Sequence, residues 1–242
     1  NLSGTGLFDA IANFDNEASI DDTGGISPTG SYEFGGSAGS SFLDLGAVFS
    51  VDFKRHFLTE GFFPSDLFDS RGLIDDITDF DGTTALDVNA EMQISVTQDN
   101  PGSGSPTYTA FQTFANGTYK GRGFKFKANL ISNDIGQDIK VSQLGYTASL
   151  QRRTEQGNLT ASGAGAKAIT FTHPFFVGTS SLLGANTNLP SVGINAQNMA
   201  SGDYFEVSSV SGTGFTVHFK NSSNASIDRN FTYQAVGFGK GG

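Results

Sequence analysis

Tyr119-Lys120-Gly121-Arg122-Gly123-Phe124-Lys125-Phe126-Lys127-Ala128-Asn129-Leu130 decides the fold class. Phe124 and Phe126 fall on one face of an extended chain, and Lys125 and Lys127 fall on the other. That two-residue period belongs to a strand with one face buried and one wet. The same period occurs upstream, where Val51, Phe53 and Arg55 share a face opposite Asp52 and Lys54. In residues 89–97, Met92, Ile94 and Val96 form such a face. Residues 108–114 and 139–150 add further strands, and Asn100-Pro101-Gly102-Ser103-Gly104-Ser105-Pro106 is a loop by composition. Downstream, residues 168–171, 191–196, 204–210, 214–219 and 230–238 form short strands separated by Gly, Asn and Ser clusters. Many short strands at this spacing predict an all-β chain of sandwich type. No stretch carries a 3.6-residue apolar stripe, and residues 65–77 are the one place suited to a helical turn.

Composition supports this. The chain has 23 Phe, 32 Gly, no Trp and no Cys, with 37% hydrophobic and 16% charged residues. The phenylalanines fill a core of ordinary size without disulfides, and the glycines supply turns. Without Cys there is no thiolate catalysis and no Cys-based zinc site. No run approaches 18 apolar residues, so no membrane insertion is expected. The first residue is Asn and no leader pattern follows; the chain reads as an ordered portion of a longer polypeptide.

Gln151-Arg152-Arg153-Thr154-Glu155-Gln156-Gly157-Asn158 follows a strand and contains no apolar residue. It predicts a boundary between a β-sandwich over 1–155, with an irregular segment to about residue 39, and a second over 156–242. Charge divides at the same place. Residues 1–155 hold 10 Lys+Arg against 21 Asp+Glu, and residues 156–242 hold four against three. The acidic part repels phosphate backbones, so nucleic acid is not an expected partner. The near-neutral part, rich in Asn, Ser and Thr, suits a neutral polar ligand such as a sugar.

Candidate chemistry is sparse. Asp75, Asp76, Asp79 and Asp81, ahead of Gly82, are the densest acidic constellation and the candidate Ca²⁺ ligands. Asp79-Phe80-Asp81-Gly82 is only a fragment of an EF-hand loop, and Phe80 sits inside it, so a solvated acidic turn is the plainer reading. No other cofactor is expected. His56, His173 and His218 have no partner at ligand spacing and read as structural or surface residues. Neither a Gly-x-Ser-x-Gly elbow nor a phosphate-binding glycine loop occurs, and no acid pair stands out for glycoside hydrolysis. The Asn-x-Ser/Thr matches, such as Asn224-Ala225-Ser226, are expected by chance in this composition. Tyr108, Tyr119, Tyr146, Tyr204 and Tyr233 are the candidate sugar platforms, because a pyranose stacks its C–H face on an aromatic ring.

Four phrases carry a resemblance. They are Ile169-Thr170-Phe171-Thr172-His173-Pro174-Phe175, Pro190-Ser191-Val192-Gly193-Ile194, Val207 through Val217, and Tyr233-Gln234-Ala235-Val236-Gly237. On these, residues 168–238 resemble the H-type lectin domain. The resemblance implies a six-stranded antiparallel sandwich that trimerises and binds galactose-type sugars at subunit edges. The family's closing strand reads Trp-x-Ala-x-Gly, and Tyr233 stands at the Trp position. The resemblance thus implies Tyr233 as the stacking residue, with Arg229 or Asn230 as the hydrogen-bond donor nearby. Residues 40–150 look like a galactose-binding-type jelly roll, on Leu43-Asp44-Leu45-Gly46, Gln93-Ile94-Ser95-Val96-Thr97-Gln98-Asp99, Gly121-Arg122-Gly123-Phe124-Lys125-Phe126 and Ile139-Lys140-Val141-Ser142-Gln143-Leu144-Gly145-Tyr146.

Together the two parts are similar to the C-terminal region of phage tail-tip proteins of the host-specificity protein J kind. That resemblance implies a non-enzymatic virion component, outside the cell on the phage tail. Its partners would be itself as a homotrimer, other phage tail proteins, and a host-surface glycan or receptor. The alternative is the carbohydrate-binding region of a secreted glycoside hydrolase.

Overall fold

The computed structural model describes residues 30–35, 42–62, 87–133, 137–179 and 187–240. Among them the chain is all-β, in antiparallel sheets of sandwich character. The strands are β1 (Gly30–Phe34), β2 (Leu43–Phe62), β3 (Val88–Thr97), β4 (Gln112–Thr113), β5 (Gly117–Ser132), β6 (Asp138–Ser149), β7 (Arg152–Ala161), β8 (Lys167–Thr170), β9 (Ser191–Gln197), β10 (Tyr204–Ser208), β11 (Gly214–Lys220) and β12 (Asn230–Phe238). No helix of the described residues is long and apolar enough to cross a membrane. The acidic positions Asp75, Asp76, Asp79 and Asp81, and residues 65–77, lie outside the described residues.

Strands β1 to β6 form one sheet in the order β4-β3-β5-β2-β6. The long β5 is its spine: β3 lines one edge, while β2 and β1 share the other. As the alternation predicts, Phe124 and Phe126 are fully buried, and so are Val51, Met92 and Ile94. Phe53 is the hub, its ring 5.0 to 6.0 Å from those of Phe114, Tyr119, Phe124, Phe126 and Tyr146. On the other face of β5, Lys125 lies over the Tyr108 ring and Lys127 over the Phe111 ring.

Residues 108–114 run beside β3, but only Gln112 and Thr113 form a ladder with it. The Thr109 hydroxyl, rather than a carbonyl, accepts from Val96 N at 3.0 Å, which interrupts regular pairing. β1 falls in the segment expected to be irregular. Tyr32 and Phe34 pack on the core while β5 supplies the backbone partner, so tertiary context overrides weak local patterning.

Burial pushes the Tyr146 phenol up to about 12. The neutral form is the one the fold favours, so its contribution is intact below the usual value near 10 and is lost as pH climbs from about 10 to about 12. That difference corresponds to about 3 kcal/mol. In urea melts at about pH 9 and about pH 11.5, where the change is only partly complete, we expect Tyr146→Phe to lose about 2 kcal/mol less stability than the wild type. Equal alkaline losses in the two proteins would refute it.

Strands β7 to β12 form two three-stranded sheets, β10-β11-β8 and β7-β12-β9. Between them lie Phe171, Phe175, Phe215, Val217, Phe219, Phe231 and Ala235, all buried. This is the expected antiparallel set of six strands.

The stretch 151–158 is not a connector: Arg152 onward is β7, paired along β12. Its inward positions, Arg153, Glu155 and Gly157, are not apolar, which hides the strand from a hydrophobicity pattern. Arg153 Nη1 pairs with Glu155 Oε2 at 3.0 Å, and the Arg153 guanidinium lies 3.9 Å from the Phe175 ring centroid.

The later part of the chain reaches into the first core. Phe176 packs into the core of the β1–β6 sheet, edge-on to Phe49 with ring centroids 6.0 Å apart. Its N–H donates to Phe238 O at 2.8 Å, and Ser50 N donates to Lys240 O at 3.1 Å.

Candidate functional site

Tyr233, Arg229 and Asn230 do not share a site. The Tyr233 ring points between the two sheets, with its centroid 5.2 Å from that of Phe215 and 6.3 Å from that of Phe171. Its hydroxyl donates to Glu155 Oε1 at a long 3.4 Å. Burial, and then the nearby Glu155, raises its pKa. Arg229 is committed elsewhere: Nε donates to Asp203 Oδ2 at 2.8 Å, and Nη1 donates to the Asp228 carbonyl at 2.8 Å. It clamps the turn before β10. Asn230 opens β12 on the outward face of its sheet, opposite Gln197 and Ala161. Tyr233 and Arg229 are four residues apart on one strand path, about 13 Å.

Of the five candidate tyrosines, four serve the fold. Tyr146 and Tyr119 pack on the first core, and the Tyr119 hydroxyl donates to Ala115 O at 2.9 Å. Tyr108 lies under Lys125, and Tyr233 is interior. Tyr204 stands at the surface, 38% exposed.

The hairpin register sets its neighbours. Val207 faces Val217 toward the core, and Phe205 faces the buried Phe219, on which its ring leans while staying 38% exposed itself. The alternate positions therefore point outward, with Tyr204 opposite Lys220 and Glu206 opposite His218. Lys220 Nζ pairs with Glu206 Oε2 at 2.8 Å, a bond that raises the lysine pKa and keeps it charged.

A tight turn completes the face. Asn221 Oδ1 accepts from Ser223 N at 3.0 Å and Ala225 N at 2.9 Å. That side-chain bracket lets Asn224 take a left-handed conformation, φ 61°. Asn224 Oδ1 then accepts from the Tyr204 hydroxyl at 2.5 Å, fixing the ring. Ser226 bridges to Lys220, and its Oγ lies 2.8 Å from His218 Nε2.

The result is one exposed aromatic ring beside an amine–carboxylate pair with no net charge, an amide and a hydroxyl. This set offers stacking together with donors and acceptors in close reach, which is what a neutral polyol ring requires. Tyr204 is visible in the sequence as a candidate. Glu206, Lys220, His218, Asn224 and Ser226 are not, because they meet only once the β10–β11 register is known. Among the described residues there is no group of three or more His, Asp or Glu placed to hold a metal ion. Comparison with family models, curated proteins and solved structures gives no match.

Proposed function

We propose that the chain is a non-enzymatic, homotrimeric adhesion module of a phage tail tip or central fibre. It meets a host-surface glycan through the Tyr204 face. Two sets of residues support this reading: the H-type lectin-like phrases in 168–238, and the tail-tip-like order of the two parts. The observation that carries the ligand assignment is the exposed, hydrogen-bond-fixed ring of Tyr204 beside the Lys220–Glu206 pair. The sugar platform moves from Tyr233 to Tyr204, because the Tyr233 ring is engaged in the interior.

Removing the Tyr204 ring should weaken binding about tenfold or more, the worth of one stacked contact of about 1.5 kcal/mol. The assay is binding of wild type and Tyr204→Ala to an immobilised panel of neutral, acidic and phosphorylated glycans. We expect binding to neutral glycans that Tyr204→Ala loses, with a smaller loss in Tyr204→Phe. A folded Tyr204→Ala chain that binds like wild type would reject the site.

A further inference from the structure

The outer face of the β7-β12-β9 sheet has a composition unlike the rest of the chain. Overall, the protein has 24 Asp+Glu and 14 Lys+Arg. On this face the outward positions of β12 are Asn230, Thr232, Gln234, Val236 and Phe238, because Phe231, Ala235 and Gly237 are buried. Their neighbours follow from the register. Gln234 lies between Gln156 and Gly193, Val236 between Thr154 and Ser191, and Asn230 between Ala161 and Gln197.

Beside Thr232 the ladder slips by a residue, which turns Leu159 outward at 54% exposed. Phe238, at the far end, is 39% exposed. These three strands present no carboxylate outward, and Arg152 at the last row is their one outward cation.

We infer that this face is the surface on which copies of the chain meet, with a second copy of the same sheet as its occupant. The inference rests on the self-associating reading above and names the surface that reading lacks. Three observations lead to it. Depletion of charge, with apolar and amide groups interspersed, is the composition of an interface centre rather than of a rim. In a protein of net charge −10, copies approach each other best through a face without acids.

Amide side chains both donate and accept, so the face complements itself under rotation. β12 is the middle strand, so a symmetry axis at the centre of the face runs closest to it, and Gln234, midway along β12, then lies beside its own counterpart.

The size of the face sets the strength. Three strands by nine residues give about 450 Å² per copy. That is smaller than the roughly 800 Å² per partner of a standard interface, so association is weak and depends on concentration. The opposite sheet then points away from the axis, leaving Tyr204 free to meet a ligand.

The test is sedimentation of the chain from about 1 μM to about 1 mM, where weak contacts of this size associate. We expect a reversible oligomer in wild type and an association at least ~10-fold weaker in Gln234→Glu, from like charges facing one another. Gln234→Lys should be weakened in the same way, and a mixture of the two variants should regain association. A wild type that stays monomeric throughout overturns the inference, as does a Gln234→Glu chain that associates like wild type. If Gln234→Glu loses glycan binding while wild type is monomeric, the face belongs to the ligand instead. The Tyr204→Ala binding assay is independent of these outcomes, so failure of the interface and failure of the glycan site are told apart.

Discussion

Phe176→Ala is expected to destabilise the core of the β1–β6 sheet by about 3–5 kcal/mol, the range for deleting a buried phenyl ring. Phe176 is 3% exposed and belongs by sequence to the later part of the chain. Its ring nonetheless packs with Leu43, Phe49 and the rest of the earlier core. The strands around it tie in the same direction, through Ser50 to Lys240 and through Gly239 N donating to Gln151 O at 2.9 Å. We expect urea unfolding, followed separately in the two portions, to show the larger loss in the 30–150 portion. A cost under about 1 kcal/mol would mean that the ring is not holding that core. Phe171→Ala is the control, since its ring packs only within the later core, against Phe175 and Phe215.

The alternation in β5, β3 and β2 is legible in the sequence because each strand has one dry and one wet face. Phe124, Phe126, Met92 and Ile94 are buried where the period puts them. Two strands escaped: β1, whose five residues carry too short a pattern, and β7, whose inward side is not apolar. β7 turns Arg153 and Glu155 inward, where they bond each other and loop atoms: Thr172 N donates to Glu155 Oε1 at 2.7 Å, and Arg153 Nη2 donates to Pro174 O at 3.0 Å, while Arg153 Nε is left without a hydrogen-bond partner among the described residues. Hydrophobic periodicity cannot register a strand stabilised in that way.

The site divides similarly. An exposed tyrosine can be nominated from sequence, but exposure is a property of register. Tyr204 and Tyr233 look alike in the sequence, and one faces water while the other faces Phe215. The amide face is spread over three strands, so its lack of acids appears only after β7, β12 and β9 are placed side by side.

Gly157→Ala is expected to cost about 2–3 kcal/mol, a large effect for one methyl group, because the space above Gly157 is filled by Tyr233. A β-carbon built there falls 1.9 Å from Tyr233 Cε1 and 2.2 Å from Cδ1. The obstacle is a side chain, so removing it should relieve the clash. Tyr233→Ala alone should cost about 3 kcal/mol, from lost burial and lost contact with Phe171 and Phe215. The double variant should then cost at least ~1 kcal/mol less than the two single changes added together.

Gly214 is the contrasting case. A β-carbon there meets the Ile169 carbonyl oxygen at 2.1 Å, which is backbone within the β11–β8 ladder. Trimming Tyr233 does nothing for that obstacle, so Gly214→Ala with Tyr233→Ala should be additive. Chemical denaturation of the six proteins decides. Additive costs for Gly157→Ala with Tyr233→Ala would place the Tyr233 ring away from Gly157, swung out of the sandwich. The aromatic platform would then return to Tyr233, and Tyr204 would lose its claim to the sugar.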